Sequence, residues 1–218
     1  MPSADGGCVR IVCFDLDGTL VHGTSTSRHL SDRLGHGSLI RELEDQYDRG
    51  DLSAQAVAEA EARFYAGLSL AQVSEFLADV PLIGGISETI EALRERGIAA
   101  IIGTLAWRFA AQIIGDRYGF AAASGVEMRV DGAGTLSGRV ETHFVERDKV
   151  VFVRAFCGLQ GVPMSQVVAV GDARSDVPLF GAAGYSVALN ATPLAQAAAS
   201  TSLNTQWLPD ILGAIPHL

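Results

Sequence analysis

Basic residues are scarce in this chain: 16 lysines and arginines stand against 25 aspartates and glutamates, giving a net charge of -9 and a pI near 4.9. That deficit excludes a general affinity for nucleic acid or anionic membrane, because both are held mainly through lysine and arginine clusters. Any phosphate must therefore be gripped locally. Cysteine is sparse as well. Cys8, Cys13 and Cys157 are odd in number and lack metal-type spacing, which argues against a disulfide framework and fits a reducing cytoplasm. No stretch approaches the roughly 20 apolar residues of a membrane span. The N-terminal residues, with an early aspartate and a short apolar run that belongs to a strand, do not read as a signal peptide. His22, His29, His36, His143 and His217 show no ligand spacing and read as polar surface or loop positions. Internal repeats are absent, and the only compositional bias is the alanine-rich Ala195 to Ala199.

What is present is ample apolar material, 48% of 218 residues, enough for one large domain or a core with a small insert. The chain is organised around Val9 to Leu20. An unbroken run of Val, Ile and Phe predicts a strand buried on both faces, ending in Asp15, Asp17, Gly18 and Thr19. His22 to Thr26 reads as a polar, flexible connection, and from there to about Asp79 the pattern is helical, with Leu39, Ile40, Leu43 and Tyr47 at helical spacing, then Val57, Ala60 and Phe64, then Val73, Phe76 and Leu77. Ser69 followed by Gln72 predicts a capping box. Ten acids against five arginines give this block a net charge of -5 and a mostly solvated outer face.

A strand and helix alternation resumes at Gly84. The spacing predicts a helix over 87–96, a buried strand over 98–103 ending in Thr104, a helix over 107–118, and a short strand over 121–125. A hairpin over 126–140 then turns around Asp131-Gly132-Ala133-Gly134. A helix over 149–159, a strand over 167–170, a short helix over 177–183, a strand over 185–189 and a mainly helical tail complete the chain. Repeated strand–helix units predict an α/β fold: a Rossmann-like parallel sheet with helices on both faces, plus an inserted all-helical cap. Residues 1–20 and 84–218 would form the core and residues 21–83 the cap.

Parallel strands share one C-terminal edge, so residues that follow different strands converge there. Asp15 and Asp17 follow the first strand, Thr104 the second, and Asp172 and Asp176 the third, with Lys149 opening the helix that leads to it. Each has a plainer alternative. Asp-Gly is a common turn, Lys149 sits in the charged run Glu146-Arg147-Asp148-Lys149, Thr104 is a possible helix N-cap, and Asp172 and Asp176 are possible caps of the helix at Val177. Cys13 reads as a small buried hydrophobe.

Four motifs in order, Asp15-Leu16-Asp17-Gly18-Thr19, the apolar strand ending in Thr104, Lys149, and Gly171-Asp172-Ala173-Arg174-Ser175-Asp176, make the chain resemble the haloacid dehalogenase superfamily. Within it the chain is similar to the phosphoserine-phosphatase-like group, whose helical cap follows the first strand. The resemblance implies a Mg²⁺-dependent phosphatase acting on a small phosphorylated metabolite. Asp15 would be the nucleophile that forms an aspartyl-phosphate and Asp17 the acid/base. Asp15, Asp172, the Asp17 backbone carbonyl and Asp176 would serve the metal, while Thr104 and Lys149 balance phosphoryl charge. A phosphomutase would share the aspartyl-phosphate, and a binding protein on the same scaffold belongs to a different class.

Departures from the family fall around the substrate. Thr24 stands where those phosphatases carry the glutamate for the substrate amine, Leu105 and Ala106 replace a glycine pair, and Ser175 replaces an asparagine. Arg63 is the candidate for a substrate carboxylate, and Trp107, Arg108, Tyr65 and Arg28 are further candidates that each also read as structural. The sequence therefore points away from phosphoserine itself, toward a sugar, cyclitol, polyol or amino-acid derivative.

Overall fold

The computed structural model describes residues 8–216 and 218; the first seven residues of the N-terminal stretch, and His217, lie outside the described residues. Strand β1 (Ile11–Phe14) is buried along its whole length. Its side chains alternate between two cores, as a pleated strand between two helical layers must. Ile11 and Cys13 face Val153 and Cys157, while Val12 and Phe14 join the larger cluster with Leu93, Ile102 and Ile114. After β1 the chain enters four helices, α1 (Thr26–Leu34), α2 (Gly37–Arg49), α3 (Ala54–Ala62) and α4 (Leu70–Phe76). Ser25 caps α1 by accepting the Arg28 amide, and α4 carries the capping box of Ser69 and Gln72 expected from the sequence.

The chain continues through α5 (Ile86–Glu95), β2 (Ala99–Trp107), α6 (Arg108–Tyr118), β3 (Ala122–Val130), β4 (Leu136–Thr142) and α7 (Glu146–Gln160). It ends with β5 (Val167–Gly171), α8 (Val177–Phe180), β6 (Tyr185–Leu189), α9 (Pro193–Ala198), β7 (Thr201–Leu203) and α10 (Asp210–Ala214). The seven strands are ordered β4-β3-β2-β1-β5-β6-β7. All neighbours are parallel except the β3/β4 hairpin. This is the α/β sheet expected. Because β1 lies between β2 and β5, the chain winds outward in both directions from it. The crevice beyond its C-terminal end is the topological switch point where such sheets bind ligands. No helix among the described residues is long and apolar enough to cross a membrane.

Several boundaries differ from the sequence reading. Strand β2 does not stop at Gly103 but runs to Trp107 through a register shift against β3, so the next helix begins at Arg108. Residues 122–130 are one strand rather than a strand followed by a hairpin arm, pairing first with β2 and then with β4. The α7 helix begins at Glu146, which puts Lys149 in its first turn, and α8 ends at Phe180 instead of 183. The tail contains β7, three residues long and without an apolar run to announce it. In the helical block Leu39 is exposed, and the buried face of α3 consists of Ala58, Glu61 and Ala62 rather than Val57 and Ala60.

The helical block is also stitched to the hairpin by its backbone. Gly67 donates to the Leu136 carbonyl at 2.9 Å, Leu136 donates to Leu68 at 2.8 Å, and Leu70 donates to Gly134 at 3.1 Å.

Candidate active site

The Asp15 amide donates to the Val170 carbonyl at 2.8 Å, so pairing with β5 carries this residue one step past the end of β1. Its side chain is almost wholly buried and accepts a 2.9 Å hydrogen bond from Lys149 Nζ, which also donates to Asp176 at 2.6 Å. Lys149 is fully buried and is the only lysine in the chain. A solvated member of a charged run would be exposed, so that alternative is excluded. Asp176 Oδ2 accepts from the amides of Asp172 and Ala173, at 3.0 and 3.2 Å, closing the turn after β5. Asp172 in turn accepts from Thr19 Oγ1 at 2.9 Å. Two glycines permit this crowding. A Cβ on Gly18 would lie 2.3 Å from Asp172 Oδ2, and one on Gly171 would lie 2.3 Å from Asp176 Cγ.

Asp15, Asp172 and Asp176 each offer a carboxylate oxygen within 4.8 Å of the others. Burial followed by the charge of Asp176 raises Asp15 to about 6, against the opposing pull of Lys149. Burial and the neighbouring Asp15 raise Asp172 to about 8. Burial alone would lower the Lys149 ammonium, but Asp15 and Asp176 together outweigh it and hold the amine protonated. Three carboxylates thus face one internal cation, and their all-oxygen donor set suits a hard divalent ion such as Mg²⁺. The residues fit such an ion.

The Asp17 carboxylate stands outside this group. Its two oxygens accept from the Thr26 amide at 2.7 Å and Thr26 Oγ1 at 3.1 Å, turning it toward the start of α1. Burial, only partly offset by these bonds, raises it to about 8. At neutral pH it is mostly protonated, the state required of a general acid.

Asp15, Asp17, Thr104, Leu105 and Asp172 line one cavity of about 650 Å³, which extends beneath the helical block. Thr104 Oγ1 accepts from the Ala106 amide at 3.1 Å and is not the cap of α6. Its own proton has no acceptor among the described residues. Thr24 and Trp107 also line the cavity. Lys149 and Asp176 lie buried behind its wall, and three of the candidates for substrate contact do not line it. Arg63 is exposed and lies over the Phe64 ring, Arg108 pairs with Glu127 on the surface, and Tyr65 is sealed in the core against Trp107 and Phe109.

The sequence reading missed a run of three hydroxyls. Ser25 donates to Glu44 of α2 at 2.5 Å, Thr26 holds Asp17, and Ser27 donates to Glu61 of α3 at 2.9 Å. One turn of chain thereby fixes a carboxylate from the core and one from each of two helices. The signal was available in the adjacency of Ser25, Thr26 and Ser27 just after the Asp17 motif. Glu44 and Glu61 line the cavity, so these two charges of the helical block face inward.

Glu61 carries a consequence for stability. Burial raises its carboxyl from 4.5 to about 7, so the folded state holds this proton more tightly than the unfolded state does. The favourable contribution is complete below the unfolded value and is lost as pH rises through the folded one. It amounts to about 3 kcal/mol across that window. Glu61→Gln is expected to flatten the pH dependence of stability by this amount between about pH 5 and pH 8, measured by urea denaturation. An unchanged slope would exclude the assignment.

Comparison with known proteins places this geometry in a family. The model for haloacid dehalogenase-like hydrolases matches residues 12–181. The chain is 32% identical over 209 residues to a phosphoserine phosphatase of Mycobacterium tuberculosis, covering 93% of this chain and 49% of that protein. It is 31% identical to one from Streptomyces coelicolor, again covering 49% of the relative; the chain spans about half the length of both. Against the phosphoserine phosphatase of Halobacterium salinarum it is 30% identical over 186 residues, 85% of this chain and 88% of the relative. A structure of phosphoserine phosphatase with a phospho-aspartyl intermediate analogue superposes with a TM-score of 0.83 at 24% identity, covering 96% of this chain and 100% of the other. With four ordered motifs on a matching fold, the chain belongs to the haloacid dehalogenase-like hydrolases.

Proposed function

We propose that this chain is a Mg²⁺-dependent phosphatase that hydrolyses a small phosphate monoester through an aspartyl-phosphate on Asp15. The observation that carries the reading is the division of labour between two aspartates two residues apart. Asp15 is ion-paired to Lys149, whereas Asp17, without a cation partner among the described residues, is held protonated by burial. Asp15 Oδ attacks phosphorus as the bond to the leaving oxygen breaks, and Asp17 gives that oxygen its proton. Asp17 then takes a proton from the water that attacks the acyl phosphate, and Asp15 is regenerated. Thr26 holds Asp17 in place through both carboxylate oxygens. Lys149, through its bond to Asp15, and the free proton of Thr104 would balance charge on the phosphoryl oxygens, where such donors are each worth about 2.7–4 kcal/mol. Asp15, Asp172 and Asp176 would hold the metal, with the Asp17 carbonyl as a further ligand, and the bound ion would neutralise charge on the transferring group.

Residues 21–83 act as the cap: their helices roof the cavity and exclude water while the leaving group departs. Thr24, Leu105 and Ala106 on the cavity wall support an alcohol other than serine. A panel of small phosphate esters with phosphate release as readout tests the function. Release is expected to need Mg²⁺ and to fall by roughly 100-fold or more on chelation. Chelation is also expected to lower the melting temperature, because a ligand that binds only the folded state stabilises it by mass action. Release that persists unchanged without a divalent ion would sink the metal assignment, and an isomerised ester without free phosphate would identify a phosphomutase.

A further inference from the structure

Glu61 is a buried acid in the cavity wall that, like Asp17, has no positive partner among the described residues, but unlike Asp17 it has donors on one oxygen only. It is 4% exposed, and both of its donors, Ser27 Oγ and Trp107 Nε1, go to the same oxygen, Oε2, at 2.9 Å each. No group among the described residues donates to Oε1. Among the described residues, the other charge acting on it is that of Glu44, which repels it. A carboxylate buried with neutral donors on one oxygen alone is costly unless something brings it a charge.

Two arginines line the cavity, and neither acts on Glu61, although Arg174 has no carboxylate partner and its buried Nε is unpaired among the described residues. Arg28 is paired with Glu44 and Asp45, and Arg174 lies 4.2 Å over the Tyr47 ring while donating to the Tyr47 carbonyl. Arg63, expected to receive a substrate carboxylate, is on the outer surface. The cavity wall at Glu61 therefore offers an anion acceptor with no cation beside it among the described residues.

Resting on the phosphatase reading above, we propose that Glu61 is a specificity residue that receives the protonated amine of the leaving group, and that the substrate is an amino-alcohol phosphate without a carboxylate. The ammonium donates to Oε1, Ser27 and Trp107 keep Oε2 fixed, and Thr26, next to Ser27, fixes Asp17. One turn of chain thus sets the distance between the amine end of the substrate and the acid that protonates its ester oxygen.

The test uses the full chain with saturating Mg²⁺. Calorimetry compares 2-aminoethylphosphonate with n-propylphosphonate, which has the same length, no amine and an equally uncleavable carbon–phosphorus bond. The amine is expected to bind about 30-fold tighter, the range for a hydrogen bond to a charged group. In Glu61→Gln, which keeps an acceptor for Ser27 and Trp107, that preference is expected to disappear while propylphosphonate binds as before. Equal binding of the two by the native chain, or an equal loss of both in the variant, overturns the proposal.

Turnover separates this inference from the reading beneath it. Ethanolamine phosphate is expected to exceed propyl phosphate in kcat/KM by a similar factor, and to exceed phosphoserine by about tenfold, because the serine carboxylate would be brought beside Glu61 with no cation next to it. Phosphoserine turned over as well or better rejects the substrate class. Turnover of p-nitrophenyl phosphate without preference for the amine ester overturns this inference alone. No turnover of any ester overturns both.

Discussion

Asp15→Asn is expected to reduce phosphate release by at least about 10⁴-fold, the scale on which loss of a covalent nucleophile is felt. The variant is expected to fold as stably as the native chain or more so. Asparagine preserves the shape of a side chain that is 6% exposed, and Lys149 keeps its 2.6 Å bond to Asp176. It also removes one of three crowded carboxylates, whose mutual repulsion helps to raise Asp15 and Asp172. Phosphate release over long incubations, acid quenching to trap a phosphorylated protein, and thermal melting check the three parts. Residual activity within tenfold of native, in a folded variant, would remove Asp15 from the mechanism.

Lys149→Met is expected to damage stability and chemistry together. Methionine matches the length and apolar stem of lysine but leaves Asp15 and Asp176 buried without a cation. Breaking a buried pair by removing one partner costs about 3–5 kcal/mol, or roughly 10 °C in melting temperature for a chain of this size. Loss of charge at the phosphoryl group is expected to cost a further 10²- to 10³-fold in kcat, to order of magnitude. A second substitution separates the two effects. Asp176→Asn added to Lys149→Met is expected to recover part of the stability and none of the activity, a non-additivity that only groups in contact produce. A melting temperature unchanged in Lys149→Met would mean that the lysine does not compensate the acids.

The sheet strands with long apolar runs, β1, β5 and β6, were legible in the sequence because a strand buried on both faces carries its own signature. The convergence of Asp15, Thr104, Lys149, Asp172 and Asp176 followed from the parallel sheet. What stayed hidden was decided by tertiary partners. The extension of β2 to Trp107 depends on pairing with β3 across a register shift, and β7 has three residues and exists as an edge beside β6. Helical phase was the other failure. Glu61 and Arg63 are two positions apart, roughly 200° around a helix, so when one faces the cavity the other faces solvent. An arginine was expected inside, whereas the acid is there. The single lysine of the chain falls within a core motif, a compositional signal of its buried role.

The stitching of residues 67–70 to the start of β4 bears on how the molecule avoids its own kind. An open sheet has two edges whose unpaired amides and carbonyls invite another chain to add on. Here the β7 edge is only three residues long, and at the other edge Gly67, Leu68 and Leu70 occupy the backbone groups of Gly134 and Leu136. The helical block therefore covers the start of that edge strand, and a chain shortened by deleting it would bare these backbone groups along with the crevice beyond β1.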